Sequence, residues 1–184
     1  DIKIGIGSII PHSNAGFGGG AKIVVPGCAG IKTLKANHEG VLRGLTGGIN
    51  EVDKNDNRLD MEEIADIAGL DFIINIVPTL NNEIAGIFSG DKIKAHRKGV
   101  LLARKIYQTI VDNQVDVCVF NSYPKDTEFL QCINSLNPYF SSKKELLKKN
   151  GIIVITTASS EGRGIHTLHG IGCPLPLNVE KQYP

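Results

Sequence analysis

Tryptophan is absent, and aromatic side chains make up only 5% of this 184-residue chain. That leaves little surface on which bases could stack, which argues against a nucleic-acid partner. Charge of one sign is lacking too. The net charge is +1, too small to draw in nucleic acid or an anionic membrane. No apolar run exceeds the length of a strand, so neither a membrane span nor a signal peptide is expected. The four cysteines, Cys28, Cys118, Cys132 and Cys173, are scattered, with no Cys-x-x-Cys pair. A disulfide framework is therefore not expected; reduced thiols in a cytoplasmic protein are. What remains is ordinary globular composition, 41% hydrophobic and 21% charged, enough for one sizeable domain or two small ones.

Glycine is plentiful, 21 residues in all, and three of them stand together in the stretch His12 to His38. That stretch holds two histidines, the triplet Gly18, Gly19 and Gly20, Lys22 and a Pro26-Gly27 turn. Glycines allow positive φ and close approach of the backbone to a ligand, and successive bare amides could cradle an anion. The phosphate-loop pattern of nucleotide hydrolases does not fit. It needs Gly before the lysine and Ser or Thr after it, and here Ala21 and Ile23 flank Lys22. The dinucleotide fingerprint fits no better, because no helix-opening third glycine is in place. Ile23 to Val25 reads as a short strand, and Ile31 to Asn37 as a helix with His38 near its end.

The rest of the chain reads as two α/β units, the second with a partly parallel sheet, divided near residue 112. Residues 1–111 begin with a strand at Ile2–Ile6. A glycine-rich loop or broken helix is expected over Glu39–Asp56. Asp60 and Glu63 suggest a capping box for a helix that ends at Gly69. Buried strands are expected at Phe72–Val77 and Ile84–Phe88, and a long helix over Asp91–Ile110. His96, crowded by Lys94, Arg97 and Lys98, reads as a surface or packing residue. In residues 112–184, Val115–Phe120 reads as a buried parallel strand. A helix is expected over Thr127–Leu136, a second opens at Ser142–Glu145, and a strand covers Ile152–Thr156. Ligands of such sheets sit past the carboxyl ends of the strands. Both ends of the chain have the look of a fragment of a longer two-domain protein.

Residue chemistry leaves alternatives open. His12 could exchange a proton near neutral pH or only brace its loop. His38 could ligate a metal through a neutral imidazole or favour a helix end. Lys22 could meet a phosphate, act as a nucleophilic amine or pair with a carboxylate. His166 and His169 hint at zinc but lack ligand partners at a suitable spacing.

Taken together, His12, Gly16, Phe17, Gly19, Gly20, Lys22, Pro26, Gly27, Asn37 and His38 resemble the motif of the nickel-pincer-dependent lactate racemase family, racemases and epimerases of 2-hydroxy acids. The resemblance implies an isomerase acting by proton-coupled hydride transfer. The implied cofactor is a nickel-pincer nucleotide, nickel pyridinium-3,5-bisthiocarboxylic acid mononucleotide. It implies that Lys22 carries the covalent link to this group and that His38 is the protein ligand of nickel. Gly18, Gly19 and Gly20 would lie near the cofactor phosphate, and His12 would be the general base. Gln131 would bind substrate, since Pro124, Asp126 and Gln131 match a second motif whose lysine is replaced by Asn134. The family's second proton-handling histidine and its substrate-orienting arginine fall upstream of the matched segment. Catalysis by these residues alone is thus expected to be incomplete. The implied partners are a small 2-hydroxy acid and cofactor-assembly enzymes. The contrasting expectation is a non-catalytic phosphate- or nucleotide-binding module that kept the fold.

Overall fold

The computed structural model describes residues 1–42, 48–142 and 144–163. It shows a mixed α/β protein in two compact units, residues 1–109 and 110–184. His166, His169 and Cys173 lie outside the described residues. No described helix is long and apolar enough to cross a membrane.

The first unit is built on a three-stranded sheet in the order β1 (Ile4–Ser8), β4 (Phe72–Pro78), β5 (Ile84–Gly90). β1 runs parallel to β4, and β5 antiparallel to it. Between β1 and β4 come the two-residue strands β2 (Pro11–His12) and β3 (Gly16–Phe17), then α1 (Ile31–Leu42) and α2 (Asp56–Ile67). The unit closes with α3 (Lys94–Tyr107). The apolar run of β4 alternates rather than being buried throughout: Ile73, Asn75 and Val77 face inward. Ile4, Ile6 and Ile87 lie on the opposite, exposed face. Two clusters form the core. Ala15, Ala21, Val25, Met61, Ala65 and Ile73 make one, and Ile9, Phe17, Val52, Val77 and Val100 make the other. Both draw residues from the loop between β1 and α1, so packing the core and shaping that loop are one event.

Several expectations are corrected. Ile23–Val25 is not a strand: Gly20–Ile23 forms a 3₁₀ turn, followed by turn residues. Local bonds from Val24 N to Ala21 O and from Cys28 N to Val24 O close it, and the branched Val25 is buried in the core. Tertiary packing has overridden β propensity. α1 runs through His38 to Leu42, so His38 is not at its end. α2 starts four residues before Asp60. Its cap is Asn55, whose side chain accepts the Arg58 N–H at 2.9 Å; Asp60 lies inside the helix. The Gly69 stop holds, with φ 70°. Asp91 braces the turn that leads into α3, accepting from Ile93 N and Lys94 N.

In the second unit β6 (Val115–Asn121) pairs in parallel with β7 (Leu147–Thr156). β6 is not buried as expected; Val117 and Val119 are exposed. The expected helix over 127–136 breaks up into α4 (Phe129–Cys132), a 3₁₀ turn (Ile133–Leu136) and α5 (Asn137–Phe140). Ser142 does not open a helix. Its hydroxyl donates to Lys144 O at 2.7 Å and accepts from Lys144 N at 3.3 Å, a local competition with helix formation. Lys143, in the middle of that expected box, is outside the described residues.

Gly16 shows how tightly the loop is built. Its φ is 72°, and an added Cβ would collide with the carbonyl of Glu51. Gly30 has open space around it. Gly16→Ala should cost about 3 kcal/mol of stability. Gly30→Ala should stay within about 0.5 kcal/mol of the parent. Urea unfolding of the two variants checks the contrast.

Candidate active site

Arg58 organises the loop that follows β1. It is fully buried and turns three donors onto loop carbonyls. Nε donates to Ala15 O at 3.2 Å and Nη1 to Gly19 O at 3.1 Å. Nη2 donates to Phe17 O. Burial pushes this guanidinium down to about 10, opposed by the Glu62 charge, so it stays protonated at neutral pH. Glu62 is held in turn by Arg97, bidentate at 2.7 and 3.1 Å. Arg97 also binds Asp53 at 2.7 Å. The buried cation is thereby compensated, as burial of charge requires.

His96 supports the next carbonyl. Its Nε2–H donates to Gly18 O at 2.8 Å, and its Nδ1 accepts from Arg97 at 3.2 Å. Asn75 Oδ1 accepts the Gly20 N–H at 2.8 Å, and Gly18 N donates to Ile10 O. This corrects the expectation of bare amides: Gly18 and Gly20 use theirs inside the protein. The glycines are needed for contact. A Cβ on Gly19 would meet Asn75 and Ser8, and one on Gly20 the His96 ring.

The two histidines of the stretch are held in opposite tautomers. His12, at the end of β2, accepts the N–H groups of Asn14 and Ala15 on Nδ1, each at 3.2 Å. In its neutral form the proton therefore sits on Nε2. Asn55 fixes this turn from below, donating to Asn14 O at 2.9 Å. On α1 the arrangement reverses. His38 Nδ1 donates to Leu34 O at 2.9 Å, leaving a lone pair on Nε2.

His12, Lys22 and His38 share one small recess. Its other walls are Asn14, Pro26, Asn37, Asn57 and Met61, and its cavity volume is about 10 Å³. Lys22 reaches it from the 3₁₀ turn, His38 and Asn37 from α1, Asn57 and Met61 from α2. Gly18, Gly19 and Gly20 do not line it; they pack against Ser8, Asn75 and His96. Gln131 lies half-buried on α4 of the second unit. Among the described residues no three His, Cys, Asp or Glu side chains cluster as a metal site. Sequence reasoning missed Arg58 and Asn57, and took Asn37 only as a motif position. The one available signal was Asn55-Asp56-Asn57, a run of capping residues ahead of an apolar helix.

The loop's carbonyls are pinned by Arg58 and His96, and an amine and two imidazoles line one recess. Residues 1–46 match the lactate racemase N-terminal domain. The chain is 32% identical over 171 residues to the lactate racemase of Lactiplantibacillus plantarum. It is 29% identical over 167 residues to that of Thermoanaerobacterium thermosaccharolyticum. Each alignment covers 89% of this chain and 38% of the relative. The structure of the T. thermosaccharolyticum lactate racemase apoprotein superposes with a TM-score of 0.78 at 28% identity, over 92% of this chain and 40% of that one. A Thermotoga maritima crystal structure shares the fold, with TM-score 0.65 at 23% identity, over 82% and 38% of the two chains. This chain is thus similar to the lactate racemases over 89% of its own length and spans about two fifths of theirs.

His96 gives the loop a pH dependence. Its imidazole falls from the ordinary 6.5 to about 3, mainly through burial and then through the Arg58 charge. Between those values the unfolded chain binds a proton that the folded chain does not. The contribution is fully present above about pH 6.5 and is lost as pH falls to about 3, a loss on the order of a few kcal/mol. His96→Gln, which keeps a donor for Gly18 O, should flatten this slope in urea titrations between pH 7 and pH 4.

Proposed function

We propose that this chain forms the cofactor-holding part of a racemase or epimerase of 2-hydroxy acids, with a nickel-pincer nucleotide as resident group. The observation that carries the reading is the convergence of His12, Lys22 and His38 on one recess.

The residues fit such a group. With Nδ1–H held by Leu34 O, the His38 nitrogen left for a metal is Nε2. A hydrogen bond on the far nitrogen is what orients a metal-ligating histidine, and imidazole suits Ni(II) in square-planar geometry. A pincer brings its own remaining donors, so one protein ligand is enough. Lys22 carries the amine for the covalent link. When bound, the group supplies a reversible acceptor for the α-hydrogen of the substrate.

His12 manages the hydroxyl proton. As held here, its Nε2 carries the proton in the neutral ring, so it is set to give a proton or a hydrogen bond. It takes a proton on Nε2 only when Asn14 N and Ala15 N release Nδ1 or the ring turns over. Gln131 would hydrogen-bond substrate from the second unit. Asn134 stands where the family has a lysine, so a neutral group replaces a cation there, favouring a 2-hydroxy acid other than lactate. Gly18, Gly19 and Gly20 serve by shaping the turn. The reading places residues 1–111 and 112–184 in the N- and C-terminal domains of a longer cytoplasmic enzyme loaded by cofactor-assembly enzymes. The engaged amides of Gly18 and Gly20 weigh against a simple phosphate-binding module.

In the full-length protein, Lys22→Ala should remove the covalent adduct from the intact mass. His38→Ala should keep the adduct but lower nickel content about tenfold or more. An adduct that survives Lys22→Ala overturns the reading.

A further inference from the structure

The recess contains two carboxamides that no step above uses. Asn37 and Asn57 are buried, 6% and 1% exposed, although both line the recess. Asn37 Nδ2 donates to Asn57 Oδ1 at 2.8 Å, joining α1 to the first turn of α2. Each amide has one group left over. Asn37 Oδ1 remains an acceptor and Asn57 Nδ2 a donor. Turning both amides over exchanges these roles but still leaves one of each. Among the described residues neither Asn37 Oδ1 nor Asn57 Nδ2 has a further partner, and both residues line the recess.

We infer that the Asn37–Asn57 pair is a ligand-reading clamp that recognises a hydroxyl group beside a second oxygen. The hydroxyl donates to the free amide carbonyl, and the neighbouring oxygen accepts from the free NH₂. Two sources present this chemistry at a site with the function proposed above, on which the inference rests: a 2-hydroxy acid, through hydroxyl and carboxylate, and a nucleotide, through its ribose diol. The pair is neutral, so it selects by the direction of hydrogen bonds rather than by charge. A buried polar pair of this kind strongly rejects a ligand that leaves it unmatched. Asn37 also directly precedes His38 on α1, so an engaged clamp holds the helix that carries the lone pair of His38 Nε2. These two asparagines are positioning residues and take no part in proton transfer.

Asn57→Asp is the discriminating change. The carboxylate still accepts from Asn37 Nδ2, so the helices stay joined, but the free donor becomes an acceptor. The first readout needs no activity. In the ¹⁵N-labelled chain, side-chain amide signals of Asn37 and Asn57 are followed during titration with lactate and, separately, with ribose 5-phosphate. The expected result is a saturable shift of both pairs with at least one probe, weakened about tenfold or more by Asn57→Asp. Lactate alone points to substrate and ribose 5-phosphate alone to the nucleotide. Signals that move with neither probe overturn the inference. The second readout is in full-length holoenzyme. There the substrate source predicts a raised KM with kcat and nickel content retained, and the nucleotide source predicts reduced nickel with KM retained. If Asn57→Asp leaves all three unchanged, the clamp is not a ligand site. Should Asn57→Asp fail to fold, Asn37→Asp takes its place, since a turned Asn57 can donate to it and the pair then offers acceptors only. Loss of nickel and adduct from the wild-type holoenzyme would count against the proposed function, while the amide titration would still decide the clamp.

Discussion

One buried cation holds this site together. Arg58 has no path to solvent, yet it remains charged because three loop carbonyls and the nearby Glu62 surround it. A planar fork of donors suits this task better than a flexible ammonium, since several carbonyls must be met at once in fixed directions. The carbonyls of Ala15, Phe17, Gly18 and Gly19 all turn toward α2 and α3. With its carbonyls drawn inward, the loop brings His12 and Lys22 to one recess. Removing one partner of such a network leaves the others buried and unmatched, which is costlier than the net value of any single bond.

This constraint divides the labour among the functional side chains. His12 and His38 are chemically identical residues given opposite faces by backbone alone. Two amides claim Nδ1 of His12, and one carbonyl claims the Nδ1–H of His38. One ring therefore offers a proton and the other a lone pair, in one recess beside a lysine. In the proposed reading the first serves the substrate hydroxyl and the second the metal. Asn37 and Asn57 add a third, neutral element that reads oxygens without charge.

The grouping of His12, Lys22 and His38 was legible in the sequence because all three sit in one short stretch. The spacing of His12, Lys22 and His38 around glycines survives as shared geometry, and the α/β pattern matches the observed units. The supporting shell was not legible. Arg58 and His96 act across more than 35 and 75 residues of chain on carbonyls, and a carbonyl carries no sequence signal. The glycine triplet was read as donors facing a ligand, whereas its conformation is set by what lies beneath it. Asp60 drew attention because Glu63 follows at box spacing, but Asn55 won the cap by also bonding to Asn14 O and Glu51 O. The Ile23–Val25 run looked like a strand because its residues are branched and apolar, yet the core needed Val25 on a turn.

The central claim is that the bent loop directs His12, Lys22 and His38 at one bound group. Anomalous diffraction at the nickel edge, on crystals of the full-length holoprotein, tests it most directly. The account predicts a single nickel peak bonded to His38 Nε2, with density continuous from the Lys22 amine and His12 lining the same cavity. A nickel peak remote from His38, or Lys22 density that ends in solvent, would contradict it.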